Sequence, residues 1–189
     1  GPPPSRVMIT GAAGFIGSHV VDALLGVGAR VLGVDDLSSG REANLADAAR
    51  SGSFDFEVLD VAGPAAAREL AAAAARFAPD VVIHLAAAID VRRSMDDPVG
   101  DARVNVLGTL AALDAARRAG AGRFVFMSSG GALYDARAPL PATERSPVLA
   151  GSPYAASKAA AELWLALYER EYGISWTALA PANVYGPRQ

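Results

Sequence analysis

The amino-acid sequence predicts an α/β fold, a doubly wound parallel sheet with helices on both faces. Three observations point to it: short β-branched or aromatic runs recur along the chain, helix-period segments stand between them, and the first run meets the first helix at a turn punctuated by glycines. Val7-Met8-Ile9 reads as a strand ending at Thr10-Gly11, and apolar residues from Phe15 to Leu25 recur at helical spacing. Arg30 to Val34 supplies a second strand and Phe56 to Leu59 a third. Pro64 to Phe77 is an alanine-rich helix with proline in its first turn, followed by a fourth strand, Val81 to His84. Asp97-Pro98 opens a helix to about Ala119, where Gly120 and Gly122 stop it ahead of a fifth strand, Phe124 to Met127. Pro153 opens the last helix, Gly173 caps it after Tyr172, and Ser175 to Leu179 makes a sixth strand before Pro181. Right-handed crossovers gather the carboxyl ends of such strands at one edge, so function is expected in the segments that follow them.

A chain of 189 residues that is 52% hydrophobic closes one core, and a single domain is expected over 6–189, with 1–5 a tail or tag remnant. The net charge of −3, without a basic run, argues against a reader of nucleic acid backbones. The apolar stretches are broken by Arg76, Asp80 and His84 before they reach membrane-spanning length, so no membrane partner is expected. There is no cysteine, which excludes disulfides, thiolate zinc sites and cysteine nucleophiles and permits a reducing compartment; a cytoplasmic location is expected. With two histidines and no cysteine, no catalytic metal is expected.

Thr10-Gly11-Ala12-Ala13-Gly14-Phe15-Ile16-Gly17 spaces three glycines three residues apart between a strand and a helix. Gly11 allows the tight turn, Gly14 a close approach of an anion to the backbone, and Gly17 close packing of helix on sheet. The N–H groups that open the helix, at Phe15 and Ile16, then face a pyrophosphate. Such spacing also occurs in ordinary turns, and the context decides. About twenty residues on, the second strand ends at Asp35-Asp36, where a carboxylate accepts from both hydroxyls of an adenosine ribose and repels a 2′-phosphate. An Asp pair after a strand is otherwise a solvated turn. Loop, strand and acid together predict a Rossmann-type site for NAD rather than NADP. Asp60-Val61, after the third strand, is a further candidate contact for adenine, although an Asp ending a strand is commonly a cap.

Tyr154 and Lys158 stand four residues apart, so one helix turn brings phenol and ammonium to the same face. Poising a phenol of ordinary pKa near 10 at neutral pH takes roughly 4 kcal/mol of phenolate stabilisation, for which a neighbouring ammonium and an oxidised nicotinamide are the available sources. Alone, such a pair is usually a surface contact. Its place after the fifth strand and Met127-Ser128-Ser129-Gly130-Gly131 puts it at the edge where a nicotinamide lies. A hydroxyl of that segment can bond a substrate alcohol; otherwise Ser128 and Ser129 satisfy turn backbone.

With TGAAGFIGSHV, VDDLSSG, HLAA, NVLGT, FMSSGGALY, SPYAASKAAAE and PANVYGPRQ in this order, the sequence resembles the extended short-chain dehydrogenases/reductases over essentially its whole length. Among them it looks most like the NAD-dependent epimerases and dehydratases of nucleotide sugars. The resemblance implies that Tyr154 is the acid/base and that Lys158 lowers its pKa and holds the nicotinamide ribose. It also implies that a serine or threonine after the fifth strand orients the sugar hydroxyl. Counted forward from Phe124 that residue is Ser129; counted back from Tyr134 the place falls on Gly130. Ser129 is the expected one, with Ser128 in reserve and Gly130 beside the substrate. By the same resemblance Leu85, Ala86 and Ala87, with Pro181, border the cofactor, Asn105 braces the site, and Asn183 reaches the diphosphate of the sugar nucleotide. His84 is otherwise an ordinary satisfied core histidine, and His19 lies inside the first helix. Asp135 follows Tyr134 where the family commonly has glycine.

The 4,6-dehydratases of this family carry Thr-Asp-Glu after strand five, where this chain reads Ser129-Gly130-Gly131. The expected reaction is therefore 4-epimerisation of a UDP-hexose or UDP-hexuronic acid through transient oxidation at C4, with Tyr154 exchanging the O4 proton. Enzymes of this kind continue well beyond the point where this chain stops, so a smaller C-terminal substrate domain is expected to be missing from it. Two further readings stand beside this one: another NAD-dependent sugar-nucleotide dehydrogenase, decarboxylase or dehydratase, and a non-catalytic NAD-binding scaffold. Resembling enzymes are usually homodimers packed through two long helices, here Pro98 to Ala119 and Pro153 to Tyr172. A homodimer is expected, although the same alanine-rich faces can be buried within one monomer.

Overall fold

The computed structural model describes residues 5–135, 137 and 139–189. Its strands are β1 (Arg6–Thr10), β2 (Arg30–Asp35), β3 (Phe54–Val58), β4 (Val81–His84), β5 (Arg123–Met127) and β6 (Ser175–Leu179), paired in the order β3-β2-β1-β4-β5-β6 and parallel throughout. The order reverses between β1 and β4, where the register sets Thr10 beside His84 at the carboxyl edge. An open parallel sheet has its ligand crevice at that reversal.

Both faces of the sheet are covered, which is why its strands read as nearly continuous apolar runs. Side chains alternate between two cores. Val7, Ile9 and Val31 join Val21 of α1 (Phe15–Gly26), with Leu45 and Ala48 from the two short 3-10 turns Glu42–Leu45 and Ala48–Arg50. Met8, Leu32, Val34, Phe124 and Phe126 pack on the other face. There they meet α2 (Ala66–Phe77), α5 (Gly108–Ala119) and α7 (Pro153–Tyr172). Ala73 and Ala74 of α2 and Ala112, Ala115 and Ala116 of α5 are buried, and small side chains let these two helices approach closely.

The helix expected from Asp97-Pro98 to Ala119 is divided. After α4 (Pro98–Ala102) the chain makes one wider π turn, Arg103–Leu107, before α5. At 3.6 residues per turn, positions four and eight residues on drift by about 40° and 80° round a helix. The wider turn counteracts that drift and keeps Asp101, Asn105 and Thr109, all buried, on the side facing β4 and α7.

Other differences are local. The third strand runs from Phe54 to Val58, shifted from the expected 56–59, with the rings of Phe54 and Phe56 stacked at 6.4 Å. The second helix starts at Ala66, two residues past Pro64. The two 3-10 turns, α3 (Val91–Asp96) and α6 (Gly130–Leu133) are too short to show a helical period in sequence. Ser5, expected in the tail, is tied to the body: its hydroxyl donates to Asp80 Oδ2 at 2.6 Å and its carbonyl accepts from Arg30 N. Residues 1–4 of that tail lie outside the described residues. Among the described residues no helix is long and apolar enough to cross a membrane.

Candidate active site

The glycine turn after β1 has no room for side chains. Gly11 sits at φ 73°, and a Cβ on it would come within 2.6 Å of Ala86 N; a Cβ on Gly17 would overlap the Gly11 carbonyl oxygen. Gly14 is the N-cap of α1, and no side chain among those described caps the helix, so the N–H groups at Phe15 and Ile16 lack an internal partner. The arrangement fits a pyrophosphate. Asp35, at the tip of β2, is buried and accepts from Ala13 N at 2.9 Å and Leu37 N at 2.8 Å, which leaves each carboxylate oxygen a further lone pair for a ribose hydroxyl. Asp36 is exposed and closes a turn by accepting from Ser38 N and Oγ. The loop beyond it is sewn to the glycine turn by two bonds to Ala13 O, from Arg41 N and from Asn44 Nδ2. Sequence reasoning misses Asn44, because an Asn in a loop has no periodic signal.

Asp60 is exposed and caps the turn at Ala62 N, 2.8 Å, while Val61 is core, buried beneath Gly108. Leu85 N donates to Thr10 O and Ala86 N to Thr10 Oγ1, so the segment after β4 lies against the glycine turn. From there a directional chain runs inward. Thr109 donates to Asn105 O at 2.7 Å, so its oxygen accepts from His84 Nε2 at 3.2 Å, and Thr10 donates to His84 Nδ1 at 2.7 Å. Proton counting along this chain assigns a neutral Nε2–H imidazole.

Burial pushes the His84 pKa down to about 3, with the Lys158 ammonium adding to the shift. The unfolded residue titrates near 6.5. Below that pH the unfolded chain binds a proton that the folded chain refuses, so stability is full above about 6.5 and falls by about 1.4 kcal/mol per unit as pH drops towards 3. At pH 5 His84 is expected to cost about 2 kcal/mol relative to pH 7. Urea midpoints at both pH values for the wild type and His84→Gln measure this, and equal pH slopes in the two proteins would exclude it.

Helix α7 starts with Ser152 Oγ accepting from Ala155 N at 3.2 Å and Pro153 at its first position, and it ends on Gly173 at φ 72°. Tyr154, Lys158 and Glu162 follow one another at four-residue steps along it. The Lys158 ammonium donates to Met127 O at 2.9 Å, lies 4.7 Å from the Phe126 ring centre and 5.8 Å from that of Tyr154. Burial lowers its pKa to about 8, and the carboxylates of Asp101 and Glu162 oppose that fall. It is the only lysine among seventeen basic residues, a signal the sequence carries plainly. Arginine stays charged whatever its surroundings, whereas a buried amine is tunable. Tyr154 departs from expectation: burial raises its phenol above the ordinary value and Asp101 adds to the rise, while a hydrogen bond with the Ser129 hydroxyl pulls it down. The net shift is upward, against the lowering that the resemblance implies for Lys158.

The three candidates after β5 are separated by their neighbours. The Ser128 hydroxyl is held by the Glu162 carboxylate, and its N–H by Leu179 O. Gly130 donates to Pro181 O at 2.9 Å, and a Cβ on it would stand 2.5 Å from Ala180 O, so it carries neither a free N–H nor room for a hydroxyl. Ser129 remains, beside the Tyr154 phenol. Asn105 Oδ1 and Nδ2 bond Ala88 N and O at 3.0 and 2.9 Å, a brace on the segment after β4. Asn183 is exposed beyond β6. His19 bonds Pro187 O, and Asp135 is paired with Arg137.

A parallel sheet with a dinucleotide cradle after β1 and a tyrosine–lysine pair beside β5 defines the class of extended short-chain dehydrogenases/reductases. A model of the NAD dependent epimerase/dehydratase family matches residues 7–189, and the chain belongs to that family. It is 49% identical over 184 residues to a UDP-glucose 4-epimerase of Mycolicibacterium smegmatis, covering 97% of this chain and 58% of the relative. It is 36% identical over 190 residues to a dTDP-glucose 4,6-dehydratase of Streptomyces griseus, covering 98% and 56%. The crystal structure of the Thermus thermophilus UDP-glucose 4-epimerase in complex with NAD superposes with a TM-score of 0.88 at 42% identity, covering 97% of this chain and 57% of that one. The chain thus spans little more than half the length of these relatives. The family's cofactor is NAD, and the cradle, the Asp35 carboxylate and the Lys158 ammonium fit it.

Proposed function

We propose that the protein is a 4-epimerase of a UDP-linked hexose or hexuronic acid. One observation carries the reading: Ser129, Tyr154 and Lys158 converge beside β5, while the turn that follows, Gly130-Gly131-Ala132, holds no carboxylate. Without an acid and a base at that place, elimination of water has no agent, and the nearby Asp135 is engaged by Arg137. The greater identity to the epimerase than to the dehydratase points the same way.

In this reading Ser129 orients the O4 hydroxyl and Tyr154, as phenolate, takes its proton. A bound NAD would supply the hydride acceptor for C4 and the hydride that comes back to the other face. Tyr154 then gives the proton back, leaving the alcohol inverted. Lys158, held by Met127 O, directs its remaining N–H groups to the nicotinamide ribose. Because burial holds the phenol high, the lowering it needs comes from the positive charge of the oxidised cofactor added to that of Lys158. Leu85, Ala86, Ala87, Asn105 and Pro181 wall the crevice, Asp60 and Val61 stand at the adenine end, and Asn183 meets the sugar nucleotide's diphosphate. Proton NMR of the full-length protein with UDP-glucose and UDP-glucuronate tests the proposal, inversion at C4 being the expected result. A 4-keto-6-deoxy product would make the protein a dehydratase, and retained NAD without turnover a scaffold.

A homodimer and a cytoplasmic location belong to the same reading. Val99 and Leu107 on the divided helix and Leu163 and Trp164 on α7 are exposed apolar side chains on two helices packed together, and a second copy of this chain is the occupant proposed for them. Sedimentation of the full-length protein should give twice the mass of one chain, and Leu163→Asp should halve it; a monomeric wild type would end the dimer proposal. The cytoplasm suits a chain with no cysteine.

A further inference from the structure

Asp101 is 5% exposed and distant in sequence from every residue discussed as catalytic. Its Oδ2 accepts the Ser157 hydroxyl at 2.6 Å and its Oδ1 accepts Asn105 Nδ2 at 2.9 Å. Ser157 stands on α7 between Tyr154 and Lys158, and Asn105 clamps both backbone groups of Ala88. One carboxylate therefore joins α7, the π turn and the segment after β4. A buried carboxylate is costly unless donors and a cation offset its desolvation. Here Ser157 and Asn105 are the donors and Lys158 is the cation.

We propose that Asp101 is a positioning residue of the Tyr154–Lys158 pair: through Ser157 it anchors the helix that carries both, and it places a carboxylate charge near them. The inference rests on the acid–base reading of Tyr154 given above, yet its direct test needs no turnover. Titratable groups from two elements act on the pair, Asp101 from α4 and Glu162 from α7, while His84 of β4 lies near Lys158 as a neutral imidazole. Asp101 raises both the lysine and the tyrosine, and Glu162 raises the lysine. Removing the Asp101 charge must therefore move both titrations downward together. A packing role alone would move neither in a defined direction.

In the full-length protein, 13C-labelled lysine and 13Cζ-tyrosine report both titrations, the required signals being assigned by their loss in Lys158→Arg and Tyr154→Phe. Asp101→Asn is expected to shift both titrations to lower pH, and Asp101→Glu, which keeps the charge, to restore the lysine towards its wild-type value. Unmoved titrations in a folded Asp101→Asn protein would overturn the proposal. In the full-length enzyme the same change should lower kcat about tenfold with KM held, the scale of one hydrogen bond to a charged group. If Asp101→Asn does not fold, Ser157→Ala decides the anchoring: reduced kcat with KM held supports it, and wild-type kcat overturns it. A wild type without epimerase activity would sink the proposed function while the titrations still decide Asp101.

Discussion

Tyr154→Phe is expected to lower C4 inversion by about a thousandfold or more, within the range by which a positioned acid/base accelerates proton transfer. The change removes one oxygen, whose hydrogen-bonding neighbour is the Ser129 hydroxyl, and leaves the buried ring in place over Lys158. Stability and retained NAD should therefore stay near wild type. That separation identifies the phenol oxygen as chemical and not architectural. Turnover and NAD content are measured on the same purified full-length protein, by proton NMR and by absorbance after acid release. Inversion within tenfold of wild type would remove Tyr154 from the reaction.

The second large effect is expected at the glycine turn. Gly11→Ala places a side chain on a residue at φ 73°, which costs about 1–2 kcal/mol in backbone strain. Its Cβ also meets Ala86 N at 2.6 Å, so the segment after β4 must move. Ala86 N begins the chain through Thr10 and His84 to Thr109, and displacing it disturbs buried bonds each worth about 1 kcal/mol. A loss of about 3 kcal/mol in unfolding free energy is expected, together with failure to retain NAD through gel filtration. A wild-type urea midpoint with NAD retained would show that the turn has room that its geometry denies.

Much of the molecule is legible in sequence because the signals are local. A strand, a helix start or a cap is decided by residues within a turn or two. β4, α7 and β6 accordingly begin and end where the patterns of Val81 to His84, Pro153 to Tyr172 and Ser175 to Leu179 place them. The glycine spacing and the acid at the end of β2 depend on short separations too, and both meet at one crevice: Asp35 bonds the N–H of Ala13, inside the glycine turn. Less is legible after β5, where counting from either side gives different residues. Nothing local separates Ser128, Ser129 and Gly130; Glu162 and Ala180, brought from other elements, do.

By itself the sequence determined the alternation of strands and helices, the glycine turn after β1, the acid at the end of β2 and the tyrosine–lysine pair, since each depends on neighbours a few residues away. Tertiary structure alone decided which serine faces the phenol, that the long helix widens at Arg103–Leu107, and that Asp101 reaches Ser157 across 56 residues. It also decided the protonation of the pair: desolvation and the Asp101 charge act through space, and they hold the phenol up where spacing suggested it would come down.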